Sequence, residues 1–571
     1  VLRRRQRQMC IRDRLYLTEL QAQRSNLGLP TDLPCVIIFS GRVYPASPLR
    51  STTKTGPTRA PCGRYSLGMV MNKCFDKNKL HVSGPIFSDD SVARELELIE
   101  TVTKKYHWKS PTGELFSLEL PHTVYPPRED TDFMAKTLIR LGPGRGRKCL
   151  EIGVGSGVLS LLCHRQGWKV SACDINPYAV AAARDFFSVN SASDIILNEG
   201  GPGPSGDGCL KQWTDGASYD LIFWNMPYIK PTTDNTEHLG PLEDAALIDT
   251  TEQSLISITL SKISSSQILN KLGIGIFTLG NSHTEKEIHN ICAKYGFASR
   301  ITDELNFPDG ELLRILTIWH PFAKTLHTKR KVVESTNNEL LTGEWSIGSS
   351  LSAERQTKGR GRYNREWANS PELFACSWKI NLEEGVSPQL LQVLIGQIVK
   401  QSFESVNNIS QDCKIILKWP NDLILIDQER WGKVCGILVE SISKGNTTNT
   451  VIGIGINISN FGAPNGFDFP MGFADWYSKD LTQEYLFTQI NCRIAGLFES
   501  LNNITNSNLN VAKQLAIDSI VKGFTFCSSL LHKNRQVSLH KVNPDLTVSL
   551  VTDDGDKFTC DETEELTWLF A

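Results

Sequence analysis

Between Gly113 and Pro321 short apolar runs alternate with helical stretches, and this alternation restricts the fold more than any other feature of the chain. A strand, a helix and a second strand in the same direction form the unit of a parallel sheet with crossover helices. Lys148-Cys149-Leu150-Glu151-Ile152 reads as the first strand, Val170-Ser171-Ala172-Cys173-Asp174 as the second and Asp220-Leu221-Ile222-Phe223-Trp224 as a later one. Gly273 to Leu279 and Leu312 to Trp319 are candidates to close the sheet. The polar, basic run Phe322 to Lys331 marks a boundary. A chain of 571 residues exceeds one core, and at about 150 residues per domain it divides into three or four units.

Composition narrows the class further. With 60 basic and 62 acidic side chains the formal net charge is -2, whereas proteins that cover many phosphates carry a basic excess. A nucleic-acid partner is therefore not favoured. The 15 cysteines include no Cys-x-x-Cys pair, so neither a zinc site nor a disulfide framework is predicted. Reduced thiols fit a cytoplasmic location. No apolar run approaches the ~18 residues of a membrane helix, so a soluble chain with no membrane partner is expected.

The segment Arg3 to Arg14 resembles the translation of a sequencing-library adaptor, and residues 1–14 are set aside; the rival reading is an Arg-rich organellar presequence. Residues 15–112 carry no motif and form an extension of unknown role. Within them Pro34 to Phe39 reads as a strand and Pro45 to Gly63 as loop. Ser88 to Trp108 reads as a helix, with Leu96, Ile99 and Val102 on one face.

Two constellations carry chemistry. In the first, Glu151-Ile152-Gly153-Val154-Gly155-Ser156-Gly157 ends a strand and opens a helix, where missing side chains let backbone N–H groups approach a ligand. The next strand ends at Asp174, a carboxylate placed to accept from two ribose hydroxyls. Asn225-Met226-Pro227-Tyr228 follows the strand that ends at Trp224, at the carboxyl edge where open sheets place their chemistry. The tetrapeptide resembles the Asn-Pro-Pro-Tyr signature of HemK-like S-adenosylmethionine-dependent methyltransferases that modify planar nitrogens. Pro127-Arg128-Glu129-Asp130-Thr131 is similar to the Pro-x-Glu-Asp-Thr element of the branch that methylates a glutamine in translation release factors.

The resemblance implies that Asn225 and the Pro227 region accept both hydrogens of an amide while Tyr228 packs on its plane, so that positioning supplies much of the rate. It further implies that Glu151, Gly153, Gly155, Gly157, Asp174 and Thr131 hold S-adenosylmethionine. The alternative acceptor is an exocyclic amino group of RNA or DNA, which presents the same planar donor pair. Met226 stands where the family has its first Pro, which puts the rigidity of this loop in question.

In the second constellation Gln356-Thr357-Lys358-Gly359-Arg360-Gly361-Arg362 precedes Lys418-Trp419-Pro420-Asn421-Asp422 and Gly432-Lys433-Val434-Cys435-Gly436-Ile437. Alternating Gly and Arg let a backbone fold over an anion while guanidinium groups meet its oxygens in fork geometry. These three ordered motifs resemble the active site of biotin protein ligases. The resemblance places Ser335, Thr336, Asn337, Gln356 and Trp367 around biotin, with Gly359, Gly361, Asn421, Gly436 and Asn457 completing the biotin and ATP site.

Activation joins the biotin carboxylate to the α-phosphate of ATP, and two anions approach only when cations offset their repulsion. Arg360 and Arg362 are thus expected to order the loop over the adenylate, Lys433 to meet carboxyl and phosphate oxygens, and Lys418 to bind phosphate. Asp422 is expected to orient nucleotide or Mg2+. A carrier-protein lysine then attacks, with AMP leaving. Asn364 replaces a Gly that the family often carries in this loop.

The expected fold is α/β: a Rossmann-like methyltransferase domain over residues 113–322, an α+β biotin ligase domain over 330–522 and a small SH3-like β-barrel over 523–571. The expected partners are a biotin carboxyl carrier protein or domain and a protein methyl acceptor such as a release factor. A biotin-responsive regulator is the competing reading for the ligase half, although a methyltransferase stands where such regulators carry a helix-turn-helix.

Overall fold

Trp108, Phe116, Leu118 and Leu120 are buried while their neighbours Lys109, Leu115, Ser117 and Glu119 are exposed, a period of two that belongs to strands. The structure, a computed structural model, describes residues 36–39, 42–45, 103–202, 213–227, 254–362, 367, 372–459, 469–506, 509–560 and 566–570, apart from 215, 309, 383–385, 411, 429 and 445–446. The readings of residues 3–14, 46–63 and 88–102, of Tyr228 and of Asn364 fall outside these.

A short hairpin of β1 (Val36–Phe39) and β2 (Arg42–Pro45) comes first. The helix expected to run to Trp108 is corrected at its end: Lys104–Lys109 is strand β3, paired antiparallel with β4 (Leu115–Leu120). Cross-strand pairing of Trp108 with Phe116 outweighs the helical spacing read upstream. The division expected at 112/113 falls in the turn of this hairpin.

Beyond α1 (Glu129–Arg140), the chain alternates through β5 (Lys148–Ile152), α2 (Val158–Arg165), β6 (Lys169–Asp174), α3 (Pro177–Val189), β7 (Ile196–Glu199) and β8 (Tyr219–Trp224). It continues through α4 (Leu255–Ser266), β9 (Leu269–Leu279), α5 (Glu285–Lys294), β10 (Ala298–Asn306) and β11 (Leu312–Trp319). These seven strands lie in the order β10-β11-β9-β8-β5-β6-β7. From β7 to β9 neighbours are parallel, and β11 is antiparallel to both β9 and β10. Strand order reverses at β5, and register sets Ile152 beside Cys173 and Trp224. The ends of β5, β6 and β8 therefore open on one edge, where such sheets bind ligands.

The second sheet contains β12 (His327–Val333), β13 (Ser350–Gln356), β14 (Leu373–Ile380), β15 (Cys413–Lys418), β16 (Asp422–Asp427), β17 (Arg430–Lys444) and β18 (Thr447–Asn457), in the order β12-β13-β14-β18-β17-β16-β15. Two helices precede its centre, α6 (Thr336–Thr342), which leans on β13, β14 and β18, and α7 (Pro388–Glu404), which packs on β17. Then come α8 (Ala474–Tyr477), α9 (Gln483–Phe498) and α10 (Leu509–Thr525).

The chain ends in a five-stranded antiparallel sheet of β19 (Ser529–His532), β20 (Arg535–Val542), β21 (Val548–Thr552), β22 (Lys557–Cys560) and β23 (Leu566–Leu569), with β22 and β23 at its edges. The Trp419 indole donates to the Leu546 carbonyl at 2.8 Å, tying this sheet to the second.

A polar seam joins the two large sheets. Arg300 on β10 is buried and donates to the carbonyls of Gly496 (3.0 and 2.8 Å), Glu499 (2.9 Å) and Thr505 (2.9 Å), at and beyond the end of α9. A cation there satisfies orphan carbonyls and meets the negative end of the helix dipole. In return Arg493 of α9 donates to Asn290 at 2.7 Å, and Gln489 donates to the Ala293 carbonyl at 3.0 Å. A side chain on Gly496 would meet the Ser299 carbonyl at 2.8 Å, so the backbones touch there. Burial pushes His289, beside this seam, down to about 4, with Arg493 adding to the effect.

Candidate active sites

At the first edge, Gly153, Gly155 and Gly157 all take positive φ (67°, 46° and 81°), a turn that L side chains resist. Asp174, ending β6, accepts from the backbone N–H of Gly155 at 2.9 Å and of Asn176 at 2.8 Å, and burial pushes its carboxyl up. Glu151 is buried behind the turn, accepts from the Ser160 hydroxyl and is pushed by burial up to about 8. Thr131 is turned into the start of α1, where its hydroxyl accepts from the Arg128 N–H at 3.3 Å and its own N–H donates to Asp130 at 2.8 Å. It therefore takes part in the capping of α1.

Asn225 stands just past β8. Its Nδ2 donates to Asp130 Oδ2 at 2.8 Å, and its Oδ1 accepts from the Thr278 hydroxyl at 2.7 Å. Pro227 is buried beside Met226. Sequence reasoning named neither Asp130 nor Thr278 as a site residue. Thr278 lies on β9 at the end of a buried run, and only the pairing of β8 with β9 brings it to Asn225.

On the second sheet, Asp422 opens β16 and is clasped by two ammonium groups: Lys433 Nζ lies 2.7 Å from Oδ1 and Lys418 Nζ 3.3 Å from Oδ2. Burial raises the Asp422 carboxyl, yet the two lysines, Lys433 foremost, outweigh it and hold the group below its ordinary range. Both oxygens thus organise cations. Among the described residues no cluster of three or more His, Cys, Asp or Glu is placed to hold a metal, and Asp422 so engaged does not fit a resident Mg2+ ligand.

Trp367 lies across the floor of the sheet. A Cβ on Gly436 would come 2.5 Å from its ring and one on Gly455 2.8 Å, so glycine at these two positions makes room for the indole. Lys433 Nζ is 5.3 Å from a Trp367 ring centroid, and the backbone N–H of Trp367 donates to the Gly359 carbonyl at 2.9 Å.

Beside this floor Gln356 accepts from both the N–H and the hydroxyl of Thr336, at 2.8 and 3.1 Å. Ser335 caps α6, accepting from Asn338 N–H at 3.5 Å. Asn337, packed on Gly453, donates to Glu440 at 2.8 Å, and Arg360 lies 3.6 Å from the other oxygen of Glu440. Asn421 donates to the Ile437 carbonyl at 3.0 Å and Asn457 to those of Lys433 (3.1 Å) and Gly472 (3.2 Å), which fixes the strands that carry the cations. Gly361 and Arg362 follow Arg360 at the near end of the described loop.

The model of the biotin/lipoate A/B protein ligase family matches residues 329–457, which hold every part of this second site from Ser335 to Asn457. Those residues are similar to that family. The bifunctional ligase/repressor BirA of Salmonella typhimurium is 38% identical over 135 residues, 22% of this chain and 39% of that protein, so the chain spans about two fifths of this relative's length. The N-terminal half is similar to protein glutamine methyltransferases. A putative protein N5-glutamine methyltransferase of Methanocaldococcus jannaschii is 27% identical over 213 residues, 36% of this chain and 96% of that protein. A release factor glutamine methyltransferase of Lactococcus lactis is 27% identical over 176 residues, 29% of this chain and 61% of that protein.

Within residues 329–457 two polar residues escaped sequence reasoning. Glu440 joins Asn337 to the Arg-Gly loop, and Ser377 donates to Asn337 Oδ1 at 2.6 Å or Thr336 Oγ1 at 2.7 Å. Ser377 is invisible in a wholly buried strand, β14, whose composition reads as core. Glu440 had a signal available, an acid in an apolar strand two residues past Leu438.

Proposed function

We propose that the chain is a bifunctional enzyme: a biotin–carrier-protein ligase in its second half and an S-adenosylmethionine-dependent N-methyltransferase, acting on a protein glutamine, in its first. The cluster of Lys433, Asp422 and Lys418 inside the family match carries the ligase reading. It supports a site in which Lys433 and Lys418 meet the carboxylate of biotin and the phosphates of ATP. Asp422 holds both ammonium groups in place, and Arg360 and Arg362 close the loop over biotinyl-5'-AMP. Mg2+ is assigned to the nucleotide's phosphates and not to Asp422, and no step is routed through it. The carrier lysine then attacks the mixed anhydride, a step that needs chiefly proximity and a neutral amine.

In the first half bound S-adenosylmethionine supplies an electrophilic methyl group. Asp174 and the glycine turn hold its nucleoside, while Asn225, Pro227 and Tyr228 orient the acceptor amide. Residues 523–571 are assigned as an SH3-like module that backs the ligase site, in keeping with the Trp419 contact. A biotin carboxyl carrier domain and a release factor are the partners proposed, in the cytoplasm; among the described residues no helix is long and apolar enough to cross a membrane.

The test is one preparation in two assays. With ATP, biotin and a carrier domain it forms biotinylated carrier; with labelled methyl donor and a release-factor fragment it labels glutamine. Label appearing on an adenine-bearing oligonucleotide and not on the fragment would replace the acceptor proposed.

A further inference from the structure

Met226 occupies the position of the first proline in the Asn-Pro-Pro-Tyr signature that this segment resembles, and the surrounding bonds show what replaces the ring. A proline has no N–H; Met226 has one, and donates it to Thr278 Oγ1 at 2.9 Å. With its lone pair engaged, the buried Thr278 hydroxyl directs its single proton to Asn225 Oδ1 at 2.7 Å in preference to the Trp224 carbonyl at 3.4 Å. On the other side of the amide, Asp130 Oδ2 accepts from Asn225 Nδ2 at 2.8 Å. A carboxylate only accepts, so the NH2 group must face Asp130 and the two ends of the amide are fixed by chemistry. Asp130 is itself held by the Thr131 N–H at 2.8 Å, in the first turn of α1, where the helix dipole favours a negative charge.

We infer that Asp130 and Thr278 are positioning residues that lock the Asn225 amide for methyl transfer, with the Met226 N–H to Thr278 bond standing in for the missing proline ring. The inference rests on the methyltransferase reading proposed above. One Asn225 Oδ1 lone pair is taken by Thr278 and the other is left for an acceptor N–H. Donation to a carboxylate also polarises the amide and makes that oxygen a stronger acceptor.

The test uses the full chain. Thr278→Val keeps the shape of the side chain and removes the hydroxyl. It is expected to lower kcat for glutamine methylation by about 10- to 100-fold, the penalty of a small misplacement, with the dissociation constant for S-adenosylmethionine unchanged. Thr278→Ser restores kcat, and adding Met226→Pro to Thr278→Val recovers part of it. An unchanged kcat in Thr278→Val, or no recovery with Ser, overturns the lock. If wild-type protein methylates no glutamine, the acceptor reading fails and the lock is judged by a crystal structure of Thr278→Val. An Asn225 amide turned away from Asp130 supports it, and an unmoved amide overturns it.

Discussion

The centre proposed for methyl transfer gathers carboxyl groups, and the centre proposed for ligation gathers cations. Glu151, Asp174 and Asp130 lie at the edge of the first sheet; Lys433, Lys418 and Arg360 lie on the face of the second, each paired with an acid that holds it in place. Burial pushes Glu151 and Asp174 toward their neutral forms, whereas the lysines around Asp422 keep that carboxyl ionised. The first set is thus suited to hydrogen bonding and the second to offsetting the repulsion of the two anions proposed to meet there. The lesson lies in the second layer: the first centre orients its key amide with an acid, and the second orients its cations with Asp422 and Glu440.

If the two centres are separate in chemistry, single substitutions should separate them. Lys433→Ala is expected to lower biotin transfer by about 10²- to 10³-fold, the loss typical of removing one charge-stabilising donor, while methylation is unchanged. Asn225→Ala should do the reverse. Parallel assays of both activities on each folded variant check this, and loss of both in either one breaks the comparison.

The seam sets the limit of that independence. Arg300→Ala leaves the buried Gly496 carbonyl and the more accessible carbonyls of Glu499 and Thr505 without their donor, at about 1–3 kcal/mol for a buried group left unsatisfied. A drop of several degrees in the first melting transition is expected, with both activities lost over the same range. A melt in which methylation persists after ligation has gone would show that the halves unfold separately.

Much of this organisation was legible in the sequence because strand period, glycine turns and ordered charges are local signals. Lys148 to Ile152, Val170 to Asp174 and the Gly-Arg loop announce themselves within a few residues. Thr278, Glu440 and Arg300 do not, since each acquires its partner only through strand pairing or docking of residues 53 to 205 positions away. Lys104 to Trp108 was misread for a related reason: its strand character lies in pairing with Leu115 to Leu120, not in its own spacing.

A smaller effect sharpens the ligation side. Gly455→Ala places a methyl group 2.8 Å from the Trp367 ring. Overpacking of this kind costs about 1–3 kcal/mol, here as displacement of the indole. The KM for biotin should rise by about 10-fold, with methylation untouched. An unaltered KM would mean that Trp367 leaves the floor when biotin binds.

The smallest expected effect is a pair of opposed pH slopes. Glu151 titrates at 4.5 when ordinary and at about 8 in the fold, so between these values the native state holds a proton that the unfolded chain has released. Its contribution is full below about 4.5 and is lost as pH rises through about 8. Asp174, also raised by burial, acts in the same sense. Asp422 is lowered from 3.8, so its contribution is present above that value and is lost as pH falls below it. Melting temperatures from pH 3 to 9 should therefore show Glu151→Gln flattening the alkaline arm and Asp422→Asn flattening the acid arm. Because the seam ties the halves together, each substitution should move the same transition. If either moves a transition that the other leaves in place, the two centres differ in stability as well as in chemistry.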